Sequence, residues 1–247
     1  MKTTLIRRIL PLIFLLAAAL CAQAKTYLVA VGVADYSGYP SKVNNLRLPP
    51  ADARAIASLF SKNGDMTYSL LINSNATKAN ILSSMKKVFA RAGKDDAIIF
   101  FFSGHGYPGG ICAADGKLSY DQVRAAMAGS RSRNKMMFVD ACRSGSVRYD
   151  KKTSGQSLAS AKKASVMLFL SSRTNENSQE KPSMKNGYFT TYLIKGLRGN
   201  ADANRDRIIT ARELYDFVHA GVTRLSKGEQ HPVMWGNFSP SMTVVKW

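Results

Sequence analysis

Five runs of almost unbroken apolar residues constrain this chain more than any other feature. They are TYLVAVG (26–32), YSLLI (68–72), AIIFFFS (97–103), KMMFVD (135–140) and SVMLFLS (165–171). A strand with one wet face alternates polar and apolar residues; a strand covered on both faces need not. Helical patterns lie between the runs. Residues 51–62 put Ile56, Leu59 and Phe60 on one face. Thr77 caps a segment that gathers Ile81, Met85, Val88 and Phe89, and Ser119 with Gln122 forms a capping box ahead of Val123, Ala126 and Met127. Residues 187–197 and 211–225 read as two further helices, and the polar stretches 146–164 and 172–186 as loops. The alternation predicts one α/β domain, with a mostly parallel central sheet and helices on both faces.

The first 24 residues stand apart. Lys2, Arg7 and Arg8 precede an apolar core and Ala22-Gln23-Ala24. That is the pattern of a cleavable signal peptide, with an apolar run short for a membrane span. The expectation is a secreted or periplasmic protein whose domain fills residues 25–247, with no transmembrane segment in the mature chain. The whole chain carries a formal charge of +19. Such a surface suits anionic polymers or lipid headgroups, and it also serves solubility. The cations are scattered, without interleaved aromatics, so no specific nucleic-acid partner is expected. Past the leader only Cys112 and Cys142 remain, which excludes a disulfide scaffold. Whether those two pair in an oxidising compartment stays open.

Two of the apolar runs end on reactive side chains. FFSGHGYPGG (101–110) places His105 between glycines, and MMFVDACRSGS (136–146) carries Cys142 just past its apolar run. Open parallel sheets bind ligands beyond the carboxyl ends of their strands. The stretch between the two residues holds one helix, which suits a crossover between neighbouring parallel strands. An imidazole and a thiol then face one crevice. The imidazole stabilises the thiolate or protonates a leaving amine. Gly104 and Gly106 allow close backbone approach, Gly145 allows a sharp turn, and the N–H groups of Gly106 and Cys142 are candidate oxyanion donors.

Ser103-Gly104-His105-Gly106 and Asp140-Ala141-Cys142-Arg143-Ser144-Gly145 resemble the two active-site signatures of the caspase-like cysteine peptidases, nearest the bacterial metacaspase-type branch. YLVAVGVADY, LRLPPADARAIASLF, SSRTNENSQE and GYFTTYLIKGL resemble other elements of the family, so the likeness spans roughly residues 26–245. It implies a caspase-haemoglobinase-like three-layer sandwich. It also implies a thioester mechanism, with Cys142 as nucleophile and His105 as general acid/base. Caspases that cut after Asp carry Gln where this chain has Asp140. By resemblance to metacaspases, Asp140, Asp52 and Ser103 line a pocket for Arg or Lys. The implied partners are peptide or protein substrates with Arg or Lys at P1, and a monomer suffices for that chemistry. The basic residues Arg148, Lys151, Lys152, Lys162 and Lys163 then become candidate sites of self-cleavage.

DANRDRIITARE (202–213) has the spacing of a calcium loop, with Asp202, Asn204, Asp206, the Ile208 carbonyl, Thr210 and Glu213 as ligands. Arg207 stands where such a loop needs glycine, and Thr210 with Glu213 reads equally as a helix capping box. The proposed chemistry requires no cofactor; calcium is the candidate ion. Two rivals to the peptidase remain: a non-catalytic protein of the same fold that binds polyanions or envelope components, and an unrelated α/β thiol hydrolase acting on small esters or amides.

Overall fold

A computed structural model describes residues 24–61, 66–141, 165–173 and 183–246. In chain order the strands are β1 (Thr26–Gly32), β2 (Met66–Ile72), β3 (Ala97–Ser103), β4 (Gly106–Tyr107), β5 (Gly110–Ala113), β6 (Gly116–Ser119), β7 (Asn134–Asp140), β8 (Val166–Leu170), β9 (Ile208–Thr210), β10 (Val233–Trp235) and β11 (Thr243–Lys246). The helices are α1 (Pro49–Ser61), α2 (Lys78–Phe89), α3 (Tyr120–Ala128), α4 (Tyr188–Lys195) and α5 (Ala211–Leu225), with a wide turn over Gly196–Asn200 after α4.

Six strands form the central sheet in the order β10-β8-β7-β3-β1-β2. Strands β2, β1, β3, β7 and β8 run parallel, and β10 closes one edge antiparallel to β8. All five apolar runs are strands of this sheet, and their side chains divide between two cores. Val29, Val31, Phe100, Phe102 and Val139 meet α2 and α3 on one face. Leu28, Ala30, Phe101, Phe138 and Phe169 meet α1, α4 and α5 on the other. Burial on both faces is why β1, β3, β7 and β8 show no polar alternation; β2, at the edge, is only half-buried, with Tyr68 exposed. The result is the expected three-layer sandwich.

Local chemistry sets the helix starts. The Thr77 hydroxyl accepts the Asn80 N–H at 3.2 Å, and both the Ser119/Gln122 and the Thr210/Glu213 capping boxes form. Helix α1 starts at Pro49, two residues earlier than expected, because proline lacks only an N–H that a first turn leaves unbonded anyway. The short strands β4–β6, β9, β10 and β11 were not expected from the sequence. Strands β4–β6 make a three-stranded antiparallel sheet between β3 and α3, and β9 pairs with β11. Each is two to four residues long, too brief for a period to show.

Gly32, at the end of β1, positions the site. A Cβ there would lie 2.3 Å from the Pro49 carbonyl oxygen and 3.0 Å from Pro50 Cα. Only glycine lets the start of α1, which carries Asp52, pack against the end of β1. Gly32→Ala should therefore cost about 1–3 kcal/mol of stability, as overpacking does. Urea unfolding reads this directly; an unchanged midpoint contradicts the close approach.

Candidate active site

Strands β3 and β7 are neighbours, with Ser103 directly opposite Asp140. Just beyond, the Gly104 N–H donates to the Asp140 carbonyl at 3.1 Å. The segments leading to His105 and to Cys142 thus leave the same edge of the sheet side by side, as the crossover argument expects. Cys142 itself lies outside the described residues, as do Gly145 and the basic residues Arg148, Lys151, Lys152, Lys162 and Lys163.

His105 is held from two sides. Its Nε2 lies 2.7 Å from the Asn44 carbonyl oxygen. A carbonyl only accepts, so Nε2 carries the proton and Nδ1 is the basic nitrogen of the neutral ring. The His105 backbone N–H donates to the Tyr36 hydroxyl at 2.8 Å, and that hydroxyl donates to the Cys112 carbonyl at 3.1 Å. The Tyr36 ring packs 4.8 Å from the imidazole, centroid to centroid. Tyr36 is buried, and burial pushes its phenol well above the ordinary value, so it stays a neutral donor and acceptor. Gly104 has a second need beside close backbone approach. A Cβ there would meet Tyr36 Oη at 2.6 Å and the Phe102 ring at 2.7 Å. Gly104 makes room for the tyrosine that braces the histidine. Gly106 opens β4, opposite Ile111.

Asp52, Ser103 and Asp140 do come together. Asp52 is 1% exposed and Asp140 6%. The Ser103 hydroxyl donates to Asp52 Oδ2 at 2.8 Å, and the Asn186 amide and Gly187 N–H donate to Oδ1 at 2.8 and 3.2 Å. Asp140 Oδ2 accepts the Thr190 N–H at 3.1 Å and the Thr190 hydroxyl at 2.8 Å, at the N-terminal end of α4, which favours negative charge. Gly187 sits between the two acids: a Cβ there would fall 2.7 Å from Asp140 Oδ2 and 3.6 Å from Asp52 Oδ2. Burial, reinforced by the neighbouring Asp140 carboxylate, pushes Asp52 up to about 8, although three hydrogen bonds pull the other way. No site role is assigned from the sequence to Asn186, Gly187, Thr190, Tyr36 or Asn44, although Tyr36, Gly187 and Thr190 lie in stretches that resemble the family. A buried tyrosine in the polar stretch after β1 was the one usable signal.

The residues of the candidate calcium loop share one turn, but their oxygens are engaged. Asp202 accepts the N–H groups of Asp206 and Arg207, Asn204 accepts the Asp206 N–H, and Asp206 accepts the Ile208 N–H and the Asn204 amide. Thr210 and Glu213 bond each other as the cap of α5, and Ile208 and Thr210 pair with β11. Arg207 takes φ 66° where a calcium loop uses glycine. Among the described residues no three His, Cys, Asp or Glu side chains gather to hold a metal. This arrangement fits a helix cap better than a cation site, and no chemistry below runs through calcium. Cys112 is a buried free thiol in the core.

The geometry is that of a three-layer α/β sandwich with a histidine anchored just past β3 and a buried acid pair made by Asp52 of α1 and Asp140 at the end of β7. A family model of the caspase domain matches residues 26–241. The chain belongs to the caspase-domain family, whose members are cysteine peptidases and act on protein substrates. That sets aside the unrelated thiol hydrolase. Among solved structures, a protein of Geobacter sulfurreducens is similar with a TM-score of 0.64 and 21% identity, over 87% of this chain and 94% of that one. Caspase-1 of Spodoptera frugiperda is similar with a TM-score of 0.59 and 14% identity, over 89% and 87%. At these identities the likeness is one of fold. No curated protein matches the chain. No helix among the described residues is long and apolar enough to cross a membrane.

Two stability predictions follow from this geometry. Tyr36→Phe leaves the His105 N–H and the Cys112 carbonyl without their partner and should cost about 1–3 kcal/mol in urea unfolding; a neutral result contradicts the bracing role. Asp52 keeps its proton in the folded chain up to about pH 8, whereas the unfolded chain releases it near pH 4, roughly. The stability this lends is full below the lower value and is lost as pH rises toward the upper one. Asp52→Asn should therefore raise the Tm at pH 8 by about 2–4 °C and change it far less at pH 4. An equal change at both pH values contradicts the assignment.

Proposed function

We propose that this protein is a secreted or periplasmic cysteine endopeptidase that cleaves after Arg or Lys, with His105 and Cys142 as its catalytic dyad. The observation that carries the specificity is the buried Asp52–Asp140 pair, in which burial and the Asp140 carboxylate make Asp52 harder to ionise. A guanidinium or ammonium brought to such a pair relieves that repulsion, and a carboxylate aggravates it. Ser103, Asn186 and Gly187 hold the Asp52 oxygens in place for that contact.

The chemistry follows from the histidine tautomer. The Asn44 carbonyl keeps the proton on Nε2, so Nδ1 takes the Cys142 thiol proton. The thiolate attacks the scissile carbonyl, and the N–H groups of Gly106 and Cys142 receive the oxyanion. Nδ1–H then gives its proton to the leaving amine. Water, deprotonated at the same nitrogen, hydrolyses the thioester, and Cys142 leaves as the thiolate and regains its proton.

Fluorogenic peptides ending in Arg, Lys, citrulline or Asp test the reading. Arg and Lys peptides are cleaved, Asp peptides are not, and Cys142→Ala abolishes turnover. The Arg-to-citrulline ratio of kcat/KM cancels the dyad's own titration. It should rise as pH climbs toward about 8 and fall about 10²-fold in Asp52→Asn, the order expected when a buried ion pair loses one partner. Preference for Asp, or a ratio that Asp52→Asn leaves unchanged, contradicts it.

A further inference from the structure

At the end of the sheet opposite the acid pair, a group of cations gathers on two joined turns. Thr26, Ala97 and Asn134 begin β1, β3 and β7 side by side. Residues 90–96 lead into β3 and residues 129–133 into β7, and side-chain bonds tie the two turns together. The Ser130 hydroxyl donates to the Phe89 carbonyl at 2.9 Å, the Ser132 hydroxyl to the Asp96 carbonyl at 2.8 Å, and the Arg133 N–H to the Lys94 carbonyl at 3.0 Å. The Lys135 ammonium, itself buried, donates to the carbonyls of Ser130 and Ser132. Residues 130–133 therefore alternate: both serines are buried as anchors, and Arg131 and Arg133 are exposed. Arg91 and Lys94 are exposed on the other turn, and Lys86 and Lys87 are exposed in the last turn of α2, which leads into it.

Little on the chain offsets this charge. Among the described residues Arg91, Arg131 and Arg133 make no ion pair, and Lys94 makes one of 3.9 Å to Asp95, with both side chains in solvent, where such pairs contribute little. The Asp96 carboxylate is taken by the backbone N–H groups of Gly93 at 2.7 Å and Lys25 at 2.9 Å. The dipole of α2 accounts for Lys86 and Lys87, but not for arginines in turns. Like charges held this close repel, and a ligand of opposite charge turns that cost into attraction. The two turns hold no aromatic residue on which a base could stack. The chain also enters the domain at this end: the Lys25 carbonyl accepts the Ala97 N–H at 2.9 Å. Lys25 is the first residue after the apolar leader expected at residues 1–24, a segment of the kind that enters a membrane.

We propose that this end of the sandwich docks on an anionic phospholipid bilayer, with Arg91, Lys94, Arg131 and Arg133 against lipid phosphates and Lys86 and Lys87 beside them. The entry point of the chain selects a membrane among anionic partners, because it brings this face first to the bilayer that the leader enters. A strand of seven residues spans about 20 Å, so Ser103 and Asp140 lie at the far end of the sheet. A docked chain holds the candidate active site away from lipid. The proposal stands apart from the peptidase reading, and its test reads binding alone.

Residues 25–247 contain every described strand, helix and core residue, so the chain without its leader is the material for the test. Cosedimentation with vesicles reads the binding. Wild type should bind vesicles of phosphatidylcholine with phosphatidylglycerol, and not vesicles of phosphatidylcholine alone. Arg131→Gln/Arg133→Gln should weaken that binding about 20-fold, and Arg91→Gln alone about fivefold, at roughly one such factor per cation. Arg224→Gln/Lys227→Gln removes as much charge at the other end of the sheet, where Gln230 meets the Ser171 carbonyl just past β8. That pair should stay within about twofold of wild type, because attraction to a charged surface fades within a Debye length. All five side chains are exposed, so their replacement leaves both cores intact. Raising NaCl from about 0.1 to 1 M, which shortens the screening length from about 10 to 3 Å, should release the wild type. Equal losses in the two double variants overturn the proposal, since net charge and not a patch is then at work. So does equal binding to both kinds of vesicle. Binding to soluble polyphosphate with none to the phosphatidylglycerol vesicles also overturns it, by making the ligand a free polyanion.

Discussion

The hydrogen bond from the Gly104 N–H to the Asp140 carbonyl continues the β3–β7 ladder one step past the strands. Everything at the site follows from that alignment. Parallel neighbours end at the same edge, so the loop holding His105 and the chain running to Cys142 emerge together. The same register sets Ser103 across from Asp140, and Gly32 at the end of β1 admits the start of α1 with Asp52. Sheets of this kind collect reactive groups at one edge because each strand contributes its next residue there.

The site costs stability to maintain. Two carboxylates buried beside each other oppose folding at neutral pH, and Asp52 answers by holding its proton. Five donors from Ser103, Asn186, Gly187 and Thr190 limit the penalty without removing it. A purely structural pair would be more stable with one amide in place of one acid. Retaining both acids fits a ligand that brings its own positive charge. The bracing of His105 by Tyr36 and Asn44 is of the opposite kind: every polar atom named there has its partner, and the result is a fixed tautomer.

The sheet was legible because four of its strands are buried on both faces and read as short apolar runs bounded by turn residues and separated by helical patterns. That Asp52, Ser103 and Asp140 gather was legible because the surrounding motifs resemble one family, and His105 because side-chain chemistry just past a buried strand has few alternatives; Cys142 lies outside the described residues. What stayed hidden has physical reasons. Asn44 acts through its backbone carbonyl, which every residue possesses. Gly187 acts by lacking a side chain. Thr190 looks like an ordinary polar residue until tertiary contacts bury it. Strands β4–β6 are too short to display a period, and the second use of Gly104, room for Tyr36, shows only in the packing. The candidate calcium loop had the right spacing, but the folded loop uses its oxygens on its own backbone and on the cap of α5.

The central claim is that Cys142 is a nucleophile seated beside a pocket selective for positive charge. Intact-mass analysis after exposure to peptidyl acyloxymethyl ketones bearing Arg or Asp, followed by peptide mapping, tests it most directly. The account predicts one adduct per chain from the Arg probe, mapped to Cys142 and much slower to form in His105→Ala, with no adduct from the Asp probe. Equal labelling by both probes, labelling at Cys112, or no labelling by the Arg probe would contradict it.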